Sequence, residues 1–257
     1  MNRVLPPIAV LGIIIAGWYA LAYSLDNNFA SADGSALIIP PPHMLFDGMN
    51  RPTFDRIMSA LAISLSTAAI GFMLATFVGV MLGTLMSLSR ALESALWPWL
   101  IALQVTPIIV LTPIIVRVLG ASTEARVLVT VLIAFFPIAS GTLFGIRSVS
   151  QSLHDLFTLA GASYWHRLTR LQLPAASPAI FSGLRVSAGL AVIGSIVGDF
   201  FFTRGTPGLG RLIVVFFQDT RSGPMFVASF AAILVGLGFF LMVTALNRLV
   251  VSPWNRT

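Results

Sequence analysis

Long apolar stretches dominate this chain, and its few charges punctuate them rather than interrupt them. Five stretches carry no Asp, Glu or Arg: Val4–Leu25, Ile57–Ser89, Ser94–Val116, Val127–Ile146 and Ser222–Asn247. A sixth, between Leu171 and Phe202, is broken only by Arg185 and Asp199. A helix needs about 20 apolar residues to cross a hydrocarbon core of about 30 Å, and each stretch is long enough. The pattern predicts an all-α, polytopic membrane protein with about six transmembrane helices. The spans fall near 4–25, 60–89, 94–116, 127–147, 178–203 and 223–248, in a single transmembrane domain over residues 1–257. The second stretch would measure about 50 Å as a helix, so its early part, 57–67 with Ser59, Ser64 and Ser66, is expected at the interface. Gly79 and Gly83 within it have GxxxG spacing, which admits a close neighbouring helix or arises by chance. Arg3, the first apolar stretch and Ala20-Leu21-Ala22 also fit a signal peptide, but the run exceeds the usual 7–15-residue apolar region of one. A retained span is the expectation.

Two polar pieces separate the spans. The first, Asp26–Arg56, holds Asp26, Asp33, Asp47, Asp55 and the stiff Pro40-Pro41-Pro42 run. It reads as an extramembrane loop with a short interfacial helix near its end. The second, Arg147–Ser177, differs in kind. Leu153, Leu156, Phe157, Ala160, Tyr164, Leu168 and Leu171 recur at spacings of three and four, one apolar helical stripe. Gly161 interrupts the stripe and Leu173-Pro174 ends it, so two short helices joined by a glycine turn are expected, with Asp155, His166, Arg167 and Arg170 on their polar faces. So small a loop cannot bury its own apolar side. It needs lipid headgroups or another protein.

Composition narrows the chemistry. The chain is 57% hydrophobic and 9% charged, against roughly 25% charged in soluble domains. All 15 basic residues are Arg, and without Lys there is no P-loop to bind nucleotide phosphates. There is no Cys, and His43, His154 and His166 are scattered. No catalytic, cofactor-binding or metal-binding residue is therefore expected, and the chain is not read as an enzyme. The net charge of +6 is expected to face membrane lipid rather than nucleic acid.

The second polar piece resembles the signature loop of permease subunits of binding-protein-dependent ABC importers. That pattern is E-A-A, three residues, G, nine residues, then I-x-L-P. Here it stands as Asp155-Leu156-Phe157, Thr158-Leu159-Ala160, Gly161, nine residues from Ala162, and Leu171-Gln172-Leu173-Pro174. Gly161-Ala162-Ser163-Tyr164-Trp165 and Pro178-Ala179-Ile180-Phe181-Ser182-Gly183-Leu184-Arg185 are also similar to the family. Gln104-Val105-Thr106-Pro107, Leu111-Thr112-Pro113, Phe135-Phe136-Pro137-Ile138 and Gly208-Leu209-Gly210 resemble its nitrate/sulfonate/taurine branch. The triplet departs from the family: Asp155 shortens the acid by a methylene, and Leu156 and Phe157 replace two alanines.

The resemblance implies a cytoplasmic coupling-helix loop, about 148–177, in a multi-pass protein of the bacterial inner membrane. Its ATPase contacts would fall on Asp155, Phe157, Gly161, Ala162, Ser163, Arg167, Leu171, Leu173 and Pro174. It implies two ABC ATPase subunits holding ATP and Mg, a second copy of this permease, and a periplasmic or lipid-anchored substrate-binding protein. The cargo would be a small solute, a nitrate-, sulfonate- or taurine-like anion or a vitamin precursor, moved by alternating access. The rival reading is a secondary transporter or channel coupled through Asp199, disfavoured by the lack of an inverted repeat and of buried acids. Gly161-Ala162-Ser163-Tyr164 also fits a short intramembrane-protease motif, but its Ser lies in an Arg-flanked loop.

Arg185 and Asp199 are about 21 Å apart along one helix and cannot pair. Either they mark a translocation path, or they snorkel to opposite interfaces, Asp199 toward Arg204. Gln104 and Thr106 either line the same path or bond neighbouring helices. Arg counts do not orient the chain. With the loop cytoplasmic, Arg3, Arg90, Arg147, Arg167, Arg170, Arg248 and Arg256 lie inside. Arg51, Arg56, Arg117, Arg126, Arg204, Arg211 and Arg221 then lie outside, which is a tie.

Overall fold

The computed structural model describes residues 5–29, 39–47, 49–201 and 206–250, with side chains omitted at 25–29. Every regular element among them is helical. In order they are α1 (Leu5–Phe29), a 3₁₀ turn Pro42–Met44, α2 (Arg51–Leu88), α3 (Arg90–Val105), α4 (Ile108–Leu119), α5 (Thr123–Arg147) and α6 (Gln151–Leu159). There follow α7 (Tyr164–Arg167), a π-helical turn Leu168–Gln172, α8 (Leu173–Phe200), α9 (Leu209–Gln218) and α10 (Ser222–Val250). Five helices are long and apolar enough to cross a membrane, or six if the bent pair α3–α4 is one span.

The centre of the bundle is α5, held between α2 and α8 by small residues. An added Cβ on Gly79 would stand 2.7 Å from Ile138 Cβ, and one on Gly83 would strike Thr142 and the Ala139 carbonyl. The GxxxG spacing is therefore used, against α5. On the other side Gly183 lies against the Pro137 carbonyl, and Ser187 Oγ donates to the Ala134 carbonyl at 2.5 Å. Lipid offers no hydrophobic drive for helices to meet, so close van der Waals approach and interhelical hydrogen bonds carry this packing. Pairings Gly145–Ala176 at one end and Gly198–Arg126 at the other make α5 and α8 antiparallel. The end at Arg147 is the loop end; the end at Arg126 and Asp199 is the far end.

Two expectations are corrected. The third stretch, 94–116, is not one straight helix: α3 and α4 meet at 97°. Thr106 is extended (φ −71°, ψ 122°), because the ring of Pro107 disfavours helical geometry in the residue before it. The helix that carries the fifth stretch begins well before 178, and Leu173-Pro174 does not end the helix before it. One continuous helix runs from Tyr164 to Phe200. Pro174 cannot donate a backbone bond, but the turn ahead of it widens to π geometry, with Leu173 N–H donating to the Leu168 carbonyl. Within the stretch 57–67, Ile57, Ser64 and Thr67 are buried and Ser59 and Ser66 are exposed, and α2 begins earlier, at Arg51, where Asn50 caps it.

The short helix α9 was not anticipated. Its Leu209, Leu212 and Phe216 are buried against Ile57 and Ala60 of α2 and Ala228 and Ala232 of α10. Arg221 holds its C-terminal side, donating to Thr53 Oγ1 at 2.9 Å and lying 5.4 Å above the Phe216 ring. The expectations for Arg3, Asp33, Arg204 and Arg256 lie outside the described residues.

Candidate functional site

At the loop end, Arg147 closes α5 onto α3 through an ion pair with Glu93 at 2.5 Å. The chain then leaves the bundle as α6. This helix stops in a Schellman turn: Ala162 N–H donates to the Phe157 carbonyl at 2.9 Å and Gly161 N–H to Thr158 at 3.0 Å. Gly161 takes φ +68°, the left-handed geometry that this stop requires and that glycine adopts without strain. Ser163 caps the next helix, accepting from His166 N–H at 3.3 Å. Arg167 reaches back to Thr158 Oγ1 at 3.4 Å, and the Phe157 and His166 rings lie 6.4 Å apart. The glycine turn between two short helices is as expected. The second of them is the first turn of the long helix that ends at Phe200.

The apolar stripe divides. Leu168 and Leu171 turn inward and pack with Ile146 and Ala176, with Leu173 against them. Leu156, Leu159 and Trp165 turn away from the bundle, 59%, 87% and 70% exposed. Between the two helices lies a hollow of about 580 Å³ lined by Leu156, Phe157, Ala160, Gly161, Ala162, Ser163 and His166. Asp155, next in sequence to the lining Leu156 and bonded by Gln151 Nε2 at 2.9 Å, stands exposed, and Arg170 is exposed further along the chain. Of the nine loop residues singled out from sequence, Phe157, Gly161, Ala162 and Ser163 line the hollow and Asp155 and Arg167 flank it. Leu171 and Leu173 seat the loop on the bundle. Pro174 is exposed at the start of α8.

The four residues proposed for a path are not brought together within the chain. Gln104 is exposed on the last turn of α3, and Thr106 sits at the α3–α4 break, donating to the Ala102 carbonyl at 2.7 Å. Arg185 lies about halfway along α8, with its buried Nε lacking a hydrogen-bond partner. Asp199 does not snorkel; it is fully buried. Its carboxylate accepts from Ser64 Oγ at 2.8 Å and Gly210 N–H at 3.4 Å, and Arg126 Nη1 is 3.4 Å away. Arg126 is buried too, so it is not a loop charge. Ser64, Arg126 and Gly210 were missed as partners. The available signal was one acid and one base at the same end of two successive spans.

Among the described residues no group of three or more His, Asp or Glu could hold a metal ion. The model of a family described as binding-protein-dependent transport system inner membrane component matches residues 75–252. The formylaminopyrimidine transport permease protein ThiX of Halalkalibacterium halodurans is 34% identical over 227 residues, 87% of this chain and 88% of that one. The nitrate import permease protein NrtB of Synechococcus elongatus is 26% identical over 262 residues, 98% and 91% of the two chains. A solved bacterial ABC transporter that imports the acidic polysaccharide alginate superposes with a TM-score of 0.62 at 16% identity, covering 96% of each chain.

Proposed function

The chain belongs to the family of binding-protein-dependent transport system inner membrane components, and we propose how it works within one. Two copies of this permease, two ATPase chains and one substrate-binding protein form the importer. ATP and Mg are held by the ATPase, and the loop end faces the cytoplasm. Six spans enclose too little for an alternating path, and a symmetric pair is the usual way to enclose one. The cargo is a small solute. The relatives named above act on a pyrimidine and on nitrate, so both vitamin precursors and small anions fit. Arg185, about halfway along α8 and with a buried Nε that lacks a hydrogen-bond partner, is assigned in this reading to the translocation route with Gln104 and Thr106. Arg185→Ala is expected to reduce transport with assembly intact; unchanged transport would remove Arg185 from the route.

The observation that carries the reading is the hollow at 156–166, walled by apolar side chains and framed by Asp155 and Arg167. Burying a side chain such as Leu156 or Phe157 against a partner contributes about 1.5–3 kcal/mol, so a few suffice for a stable joint. The Schellman turn fixes the angle between its walls. Gly161→Val has open space around it but cannot hold φ +68° without strain. It is expected to detach the ATPase or uncouple hydrolysis from transport without unfolding the spans. ATPase co-purification and substrate-stimulated hydrolysis beside wild type test this. Normal coupling in that variant would show that the joint is elsewhere.

A further inference from the structure

The buried cluster at the far end has no part in docking an ATPase, yet its chemistry is specific. Asp199 stands in the last turn of α8, where the helix dipole disfavours a negative charge. Arg126 stands in the first turn of α5, where a positive charge is equally disfavoured. Each side chain is misplaced in its own helix and matched only by its neighbours. The carboxylate lies at the N-terminus of α9, where free backbone N–H groups favour an anion. Gly210 N–H donates to it directly, and Leu209 N–H donates to Ser64 Oγ at 2.8 Å, which in turn donates to the carboxylate. Arg126 Nη2 donates to the Thr206 carbonyl at 3.2 Å, tying the approach to α9 as well.

The Gly208-Leu209-Gly210 triplet now has a physical reason. Gly208 has ordinary backbone angles (φ −83°), but an added Cβ would fall onto the Asp199 carboxylate, and one on Gly210 onto the Ile196 carbonyl. Leu209 between them is fully buried. The two glycines let the helix end press against the acid. The acid caps, from another element, a helix whose own cap position has no side chain.

We propose that Asp199 is a positioning residue for transport, the clamp through which α8 carries α9. The proposal rests on reading the loop as the ATPase joint. A single helix runs from that loop at Tyr164 to the clamp, ending at Phe200, about 55 Å at 1.5 Å per residue. Displacement at the joint therefore arrives at α9 through the Asp199 contacts, and α9, with Phe217 and Gln218 exposed, is the moving part at the far end.

The test uses the assembled transporter, with its ATPase and binding protein, in proteoliposomes. The chain has no Cys, so Gln218→Cys gives one reporter on α9 for maleimide labelling. With otherwise native sequence, its labelling rate is expected to differ between the nucleotide-free and vanadate-trapped states. In Asp199→Leu that difference vanishes and transport falls about tenfold, while the ATPase still co-purifies. Asp199→Asn keeps an acceptor for Ser64 and Gly210 and is expected to lose only about threefold. The double variant Arg126→Leu/Asp199→Leu relieves the unpaired charge but restores no cap, and so stays deficient. Wild-type transport in that double variant, or a labelling response that survives Asp199→Leu, would overturn the proposal. If Asp199→Leu does not accumulate, Ser64→Ala serves in its place: it should lower transport with ATPase binding unchanged. Unaltered transport and labelling in both Ser64→Ala and Asp199→Asn would likewise overturn it. Gly161→Val in the same background separates the premise, because normal coupling there indicts the loop and leaves the clamp readouts standing.

Discussion

The two ends of the α5–α8 pair are built on opposite plans. At the far end Asp199, Arg126, Ser64 and the start of α9 enclose one another, and the buried acid meets its cation and its hydrogen-bond donors within the chain. At the loop end Leu156, Leu159 and Trp165 project outward, and Asp155 and Arg170 stand exposed. A closed polar cluster is costly to disturb, because each charge is buried against its counterpart. An open apolar hollow is cheap to disturb in the isolated chain and acquires its energy only when covered. Substitutions should therefore read out in stability at one end and in partner affinity at the other.

The largest expected effect comes from breaking the closed end on one side only. Arg126→Ala leaves the Asp199 carboxylate buried without its cation, which costs about 3–5 kcal/mol. The detergent-solubilised permease should lose thermal stability strongly. The same truncation at Arg170, exposed at the loop end, should move stability by no more than about 0.5 kcal/mol. Equal shifts in the two melting curves would erase the contrast between the ends.

The glycines sharpen the comparison next. Gly208→Ala meets the carboxylate of Asp199 directly, and such overpacking costs about 1–3 kcal/mol. Gly161→Ala meets nothing within 4 Å but must hold φ +68°, which costs about 1 kcal/mol. The first glycine is required for space, the second for backbone angle. Denaturation of the two variants should show the larger loss at Gly208.

How far the sequence revealed this molecule depended on whether an interaction was local. Charge-free runs located the long apolar helices, because a segment that crosses a bilayer must stay apolar for about 20 residues. The Schellman turn was legible at Gly161 because its geometry is set within six residues. The break at Thr106-Pro107 was not, since apolar residues flank it on both sides and counting charges passes over it; Pro107 itself was the overlooked signal. Pro174 misled in the opposite direction, because a π-helical turn at Leu168–Gln172 absorbs a proline that ordinarily stops a helix. With ten residues, α9 is too short to register as a span. The partner of Asp199 lies on a different helix, and no spacing rule within α8 could find it. Counting Arg126 as a loop charge followed from its position at a span boundary, where only tertiary packing shows which way it turns.

At the loop end, truncation should be silent until the partner is added. Trp165→Ala removes a side chain that is 70% exposed, so the melting temperature of the isolated permease should hardly change. If the ring is covered by the ATPase, its loss weakens docking by about 2 kcal/mol, roughly thirtyfold in affinity. Titration of the ATPase onto the detergent-solubilised variant measures this. Loss of stability without loss of docking would mean that Trp165 serves the bundle rather than the joint.

The smallest effect separates angle from bulk at the joint. Gly161 has no neighbour within 4 Å of an added Cβ, so the only constraint on a replacement is the positive φ. Asn visits that region more readily than other non-glycine residues, because its short amide bonds the local backbone. The Schellman bonds from Ala162 and Gly161 to Phe157 and Thr158 can then form with little strain. Gly161→Asn should retain most of the substrate-stimulated hydrolysis, Gly161→Ala less, and Gly161→Val least, although Asn is larger than Ala. The order follows backbone preference alone. A ranking by side-chain size, with Asn below Ala, would instead mean that the partner packs directly on Gly161 and leaves no room for any side chain there.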